Sequence, residues 1–204
     1  MIKLYYSPGA CSFSPHVVLH ESGLPFGTER VDLKTKKTES GADYDTINPK
    51  SYVPALIMNN GELLTEGPAI VQYLADLVPE KKLAPPSGTL ERYRLQEWLN
   101  YISSEIHKGF GPLFNPATPE EMKTAIKARL AKRFGFAATA LEGRDYLMGD
   151  TFTVADAYLF TMLRWTHSSG IDISPWPALG KYIERVAARP AVIATLKAEG
   201  LHQP

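Results

Sequence analysis

Apolar and polar positions alternate in two different rhythms along the chain, and the rhythm changes near residue 80. "IKLYY" (Ile2 to Tyr6) is a β-branched and aromatic run halted by "SPG", which predicts a strand and a turn. "PHVVLHES" follows with Ser12 or Ser14 as N-cap and Pro15 in the first turn, a helix stopped by Gly23. In "TERVDL", Glu29, Val31 and Leu33 fall on one face and Thr28, Arg30 and Asp32 on the other, so a second strand is expected. "SGADYDTIN" reads as irregular or helical. "VPALIM" and "ELLT" then form a hairpin about "NNG", and Gly67 and Pro68 open the helix "PAIVQYLADLV".

"PEKKLAPPSG" (Pro79 to Gly88), with three prolines and a glycine, has the make-up of a linker. Beyond it the spacing is helical throughout: "TLERYRLQEWLNYISSEIHKGF", "PEEMKTAIKARLAKRFGFAATALEG", "TVADAYLFTMLRWTHSSG", "ALGKYIERVAARP" and "AVIATLKAEG". The expected organisation is a small α/β domain over 1–80 and an all-helical domain over 88–204. Thr153-Val154-Ala155-Asp156 forms a capping box, with Phe152 and Ala157 suited to a hydrophobic staple. Asp156 is therefore assigned to folding.

Composition narrows the function. Lys plus Arg and Asp plus Glu balance at 22 each in 204 residues, which argues against a nucleic-acid or anionic-membrane footprint. No run approaches the length of a membrane span, and one cysteine cannot build a disulfide framework. A reducing, cytoplasmic setting is expected.

Four constellations could carry chemistry. Cys11, in "PGACSFSP", sits near the start of a helix, where unpaired N–H groups and the dipole favour thiolate. The spelling Cys11-Ser12-Phe13-Ser14 is a C-x-x-S arrangement; a structural cysteine is the alternative, and Ser12 and Tyr6 compete for the same role. Val53-Pro54 begins a strand, either as an ordinary trans pair or as a cis peptide that turns the Val53 backbone toward an extended, peptide-like ligand. Glu66 and Gly67 precede the helix opened by Pro68, an arrangement suited to a carboxylate that also carries an amine. A dipole-complementing role for Glu66 is the plainer reading. Asn100, Ser103, Ser104 and His107 lie at i, i+3, i+4 and i+7, which places a stripe of short polar side chains on one helical face. Phe110, Phe114 and Trp165 are core residues or the walls of an apolar pocket.

Taken together, "YYSPGACSFSPH", "NPKSYVPAL", "LTEGPAIVQYLAD", "EWLNYISSEIHKGF" and "FTVADAYLF" resemble the cytosolic-type glutathione S-transferases, most closely the bacterial beta class. The resemblance covers essentially the whole chain. It implies a thioredoxin-like N-terminal domain, an all-α C-terminal domain, and a homodimer with glutathione as co-substrate between the domains, without a metal. Carried over, Cys11 and His107 lie at the sulfur of glutathione, Val53 before cis-Pro54 pairs with its cysteinyl backbone, and Glu66 and Gly67 grip its γ-glutamyl end. Lys36, Asn100, Ser104 and Lys108 match other positions near the tripeptide. Gly67 stands where many relatives have serine, so a hydroxyl contact is lost there.

The expected activity is conjugation of glutathione to a small apolar electrophile, with Phe110, Phe114 and Trp165 around the electrophile and neither nucleic acid nor membrane as partner. Disulfide or peroxide reduction, or reductive dehalogenation, through a Cys11–glutathione mixed disulfide is the alternative. A non-catalytic binder built on the same scaffold is a further one.

Overall fold

The computed structural model describes residues 1–201, which fall into two compact units. The first comprises Met1–Ala84 together with the segment from Arg189 through the last helix; the second is Pro85–Ala188. This corrects the expected division. The sequence reading put all of 88–204 in the helical domain, whereas the last helix packs on the first helix of the α/β unit. Its apolar face defines that it must be buried, not against which partner.

In the first unit, strands β1 (Ile2–Tyr6), β2 (Phe26–Asp32), β3 (Lys37–Thr38), β4 (Ala55–Ile57) and β5 (Leu63–Thr65) form one sheet in the order β3-β2-β1-β4-β5. β1 and β2 are parallel, and the other pairs are antiparallel. Helix α1 (Phe13–Ser22) is the crossover between the parallel strands, as such a pair requires. It ends where Gly23 takes φ 71°, a left-handed cap that glycine adopts without a Cβ penalty. The segment read as irregular or helical contains the short helix α2 (Tyr44–Ile47), capped by the Asp43 side chain accepting from Asp45 N–H. Two-residue β3 was not foreseen; at that length it leaves no alternating pattern to read. Helix α3 (Gly67–Asp76) completes the Met1–Ala84 part. Tyr5, Val31, Tyr44, Val53 and Ala55 form a buried cluster in this unit.

The second unit contains no strand among the described residues. It holds α4 (Leu90–Tyr101), α5 (Lys108–Phe110), α6 (Glu120–Ala140), α7 (Val154–Ser169) and α8 (Pro177–Ala187); α9 (Pro190–Ala198) belongs to the first unit. The stretch expected as one continuous helix is interrupted by a π-helical turn over Ile102–His107. The wider turn breaks the 3.6-residue spacing on which the polar stripe was drawn. Asn100 and Ser104 are exposed, while Ser103 and His107 are half-buried. Close packing follows directly: a Cβ on Gly109 would lie 2.7 Å from a Leu130 methyl carbon on α6. The capping box forms as expected, with Asp156 accepting from Thr153 N–H at 2.8 Å and from the Thr153 hydroxyl at 3.0 Å. Phe152 and Ala157 are both buried. No helix among the described residues is long and apolar enough to cross a membrane.

Candidate active site

In the first unit the register of the β4–β5 hairpin pairs Ala55 with Thr65. The next residues on each side, Val53-Pro54 and Glu66-Gly67, therefore leave the sheet at the same end. The Val53–Pro54 peptide is cis, the sharper of the two sequence expectations. The loop before it is pinned from below. The Tyr44 hydroxyl and the Asn48 side-chain amide both donate to the Tyr52 carbonyl, at 2.8 and 2.7 Å. Those two bonds fix the Tyr52 carbonyl, immediately before Val53.

Cys11 is half-buried in the turn before α1, and its Sγ donates to the Val53 carbonyl at 3.1 Å. Here the structure reverses an expectation. The helix starts at Phe13 with Ser12 as its N-cap residue, so Cys11 lies outside the first turn, where the dipole weakens. Burial pushes the thiol up to about 11, against the pull of the Cys11 and Ser12 backbone N–H groups, and the Glu66 charge adds to the rise. Cys11 is a protonated thiol at neutral pH. Its competitors are committed elsewhere. The buried Ser12 hydroxyl donates to the Ser7 carbonyl and accepts from the Ser7 N–H, while Tyr6 is buried and its phenol is raised above the usual range, chiefly by desolvation. Ser14 is 1% exposed and its hydroxyl has no partner among the described residues, so the second position of the C-x-x-S spelling faces the core.

Glu66 is exposed and holds φ 70° and ψ 115°, a strained backbone for a residue with a Cβ. Its carboxylate pairs with Lys50 at 2.8 Å, and Lys50 also donates to the Thr65 hydroxyl at 3.0 Å. Lys36, half-buried at φ 57°, donates to the Ser51 carbonyl at 2.9 Å. Lys50 and Glu66 thus form an ion pair at the end of the hairpin, and the Glu66 charge is felt at Cys11. The spacing of the sequence gave no sign of Lys50.

The turn itself is held by a residue that sequence reasoning missed. Glu199 accepts the Gly9 N–H at 2.8 Å through one oxygen and meets His16 Nδ1 at 2.8 Å through the other. Nothing local marks a glutamate so far along the chain as a partner of this turn.

In the second unit the π-turn ends at His107, whose Nδ1 lies 2.6 Å from the Tyr158 hydroxyl. Trp165 meets the His107 ring edge-on, with centroids 5.2 Å apart, and also contacts Phe110 and Phe114. Phe110 is fully buried and backs this group, which corrects its expected place on a pocket wall; Phe114 is 51% exposed. The Ser104 hydroxyl donates to the Asn100 carbonyl at 2.9 Å, and Lys108 is exposed. Tyr158 was hidden from the sequence reading inside an apolar run. Among the described residues, no three His, Cys, Asp or Glu side chains gather as a metal would require.

Each unit has a counterpart among known domains. Residues 9–77 match the family model described as "Glutathione S-transferase, N-terminal domain", and residues 101–190 match "Glutathione S-transferase, C-terminal domain". Glutathione S-transferase GstA of Escherichia coli O157:H7 is 48% identical over 200 residues, which covers 98% of this chain and 100% of the relative. Among solved structures, the ternary complex of BphK, a bacterial GST, superposes with a TM-score of 0.96 at 57% identity, covering 98% and 100% of the two chains. A sphingomonad glutathione S-transferase complexed with glutathione gives 0.95 at 50% identity over 98% and 100%. The bacterial beta class enzyme of Sphingomonas chungbukensis gives 0.95 at 49% over the same shares. The chain belongs to the glutathione S-transferase family and is a transferase of the bacterial beta class type.

Proposed function

We propose that the protein joins the thiol of glutathione to small apolar electrophiles, as a homodimer. Cys11, Lys36, Val53, Pro54, Glu66 and Gly67 are the residues of the first unit assigned to glutathione; Asn100, Ser104, His107 and Lys108 are those of the second. Phe114 and Trp165 supply the apolar surface for the electrophile. The observation that carries this reading is the convergence of Cys11, Val53 and Glu66 at one end of the sheet. A peptide thiol with an ammonium, two carboxylates and an extended backbone suits such a set. Glu66 is suited to the ammonium, the N–H groups that open α3 to a carboxylate, and the Val53 backbone to the cysteinyl residue.

A protonated Cys11 suits the role of hydrogen-bond donor. Its S–H, turned from the Val53 carbonyl to which it donates here, and a ring N–H of His107 would stabilise the sulfur of glutathione as thiolate once that sulfur has released its proton to solvent. The thiolate then attacks the electrophilic carbon; a C–S bond forms and the leaving group departs with its electron pair.

The half-exposed position of the lone thiol favours one second reading. In it Cys11, as thiolate, attacks oxidised glutathione, forms a mixed disulfide and expels glutathione thiolate; a second glutathione then releases Cys11. Intact mass after incubation with oxidised glutathione, together with a conjugation assay on a model electrophile, tests both. Conjugation kept by Cys11→Ala, with no adduct on the parent protein, supports the donor role. A reducible adduct on the parent that Cys11→Ala lacks, with conjugation lost in the variant, overturns it in favour of exchange.

A further inference from the structure

His107 is fixed from two directions by residues one face apart on a single helix. Tyr158 and Trp165 stand at i and i+7 of α7, a spacing that returns to the same side after two turns. Tyr158 places its hydroxyl 2.6 Å from Nδ1, and its ring meets the imidazole edge-on at 5.8 Å and 87°. Trp165 packs against the ring at 67°. The histidine itself closes a π-helical turn, a rare geometry that occurs mostly at functional positions. Tyr158 is 3% exposed, so its hydroxyl is not available to bulk water as an alternative partner.

The chemistry of the two groups decides which one donates. A phenol, with its ordinary pKa of about 10, is a far stronger acid than the N–H of a neutral imidazole. Relative acidity therefore favours O–H donating to Nδ1, which leaves the proton of a neutral ring on Nε2. The hydrogen bond at one ring nitrogen sets the state of the other.

We propose that Tyr158 is a positioning residue: its hydroxyl holds His107 in the tautomer that accepts at Nδ1 and carries its proton on Nε2. This inference rests on the reading above in which His107 acts at the sulfur of glutathione. A histidine that stabilises a thiolate must donate to it, and with Nδ1 taken up by the phenol a neutral ring can donate only from Nε2. Removing the phenol removes a bond that selects the Nε2–H form, so the Nδ1–H form gains population. Trp165 holds the plane of the ring but cannot choose the tautomer.

The test is Tyr158→Phe, which keeps the ring and removes only the oxygen. Long-range nitrogen–proton NMR correlations on the full-length protein at neutral pH report the tautomer of His107 directly. The parent is expected to show the Nε2–H form alone and the variant a mixture. In steady-state conjugation kcat should fall about tenfold, with KM for glutathione changed less than about twofold. An Nδ1–H form in the parent overturns the proposal, as does an unchanged Nε2–H form in the variant. The parent spectrum decides the first point even if the variant fails to fold. His107→Ala separates this proposal from the reading it rests on. If that variant keeps full kcat, His107 does not act at the sulfur and the catalytic consequence falls, while the two spectra still decide whether Tyr158 sets the ring.

Discussion

Glu199 accepts the backbone N–H of Gly9 across 190 positions of sequence, and thereby ties the end of the last helix to the turn that carries Cys11. The same carboxylate is shared with buried His16 on α1. Cutting one member of a buried pair leaves the other without compensation. Glu199→Ala should cost about 3 kcal/mol of unfolding free energy. Glu199→Gln, which keeps an acceptor for Gly9, should cost less. Urea unfolding of the two variants checks this. A loss below about 1 kcal/mol for the alanine variant would show that the turn holds without the tie.

The raised Cys11 pKa has a definite sign for reactivity and for stability. With the thiol at about 11 in the folded chain against roughly 8.5 in a free peptide, the glutathione-free protein should alkylate about a hundredfold more slowly than free cysteine at pH 8. The folded state disfavours the thiolate, so this group's stabilising contribution is complete below about pH 8.5 and is lost as pH rises toward 11. Cys11→Ala should therefore flatten part of the alkaline loss of stability. Iodoacetamide rates and unfolding midpoints between pH 7 and 10.5 measure both effects, and fast alkylation at neutral pH would contradict the buried-donor picture.

The elements were legible where local pattern and local cause coincide. β1, α1, the "NNG" hairpin and the Thr153–Asp156 box are each fixed by residues within a few positions, and each formed where the sequence put it. What stayed hidden depends on long-range choice or on a single residue of register. The amphipathic α9 does not name its partner, and the π-turn at Ile102–His107 leaves no mark in composition. Cys11 illustrates the narrowest margin. A single residue, Ser12, lies between it and the first helical turn, and burial decided the direction of its pKa shift. At the candidate site, turn chemistry brought Glu66, Gly67 and Pro54 forward as candidates, with a plainer reading beside Glu66 and Pro54. Lys50, Tyr158 and Glu199 became visible only through their partners.

Ser14 offers a stabilising substitution. Its hydroxyl is buried in the first turn of α1 with no hydrogen-bond partner among the described residues, which costs desolvation without return. Alanine removes that cost and has the better helix propensity. Ser14→Ala should raise unfolding free energy by about 1 kcal/mol and leave conjugation unchanged. Thermal unfolding of the variant settles the sign, and a lowered midpoint would mean that the hydroxyl has a partner in solution.

Asp156 is fully buried and accepts from donors on both sides of the start of α7. Burial pushes its carboxyl up to about 6, while the backbone N–H groups of Leu147 and Thr153 and the hydroxyls of Thr153 and Tyr182 pull the other way by donating to it. Asp156→Ala orphans these donors together and should cost about 3 kcal/mol, a loss large enough to reduce the folded yield at physiological temperature. Thr153→Ala removes one hydroxyl and should cost about 1 kcal/mol. The two share the Thr153–Asp156 bond, so the double variant must lose less than the sum of the single losses. A double-mutant cycle by chemical denaturation gives that difference directly. Strict additivity would show that the two residues act on α7 independently and that the box is not the unit of stabilisation.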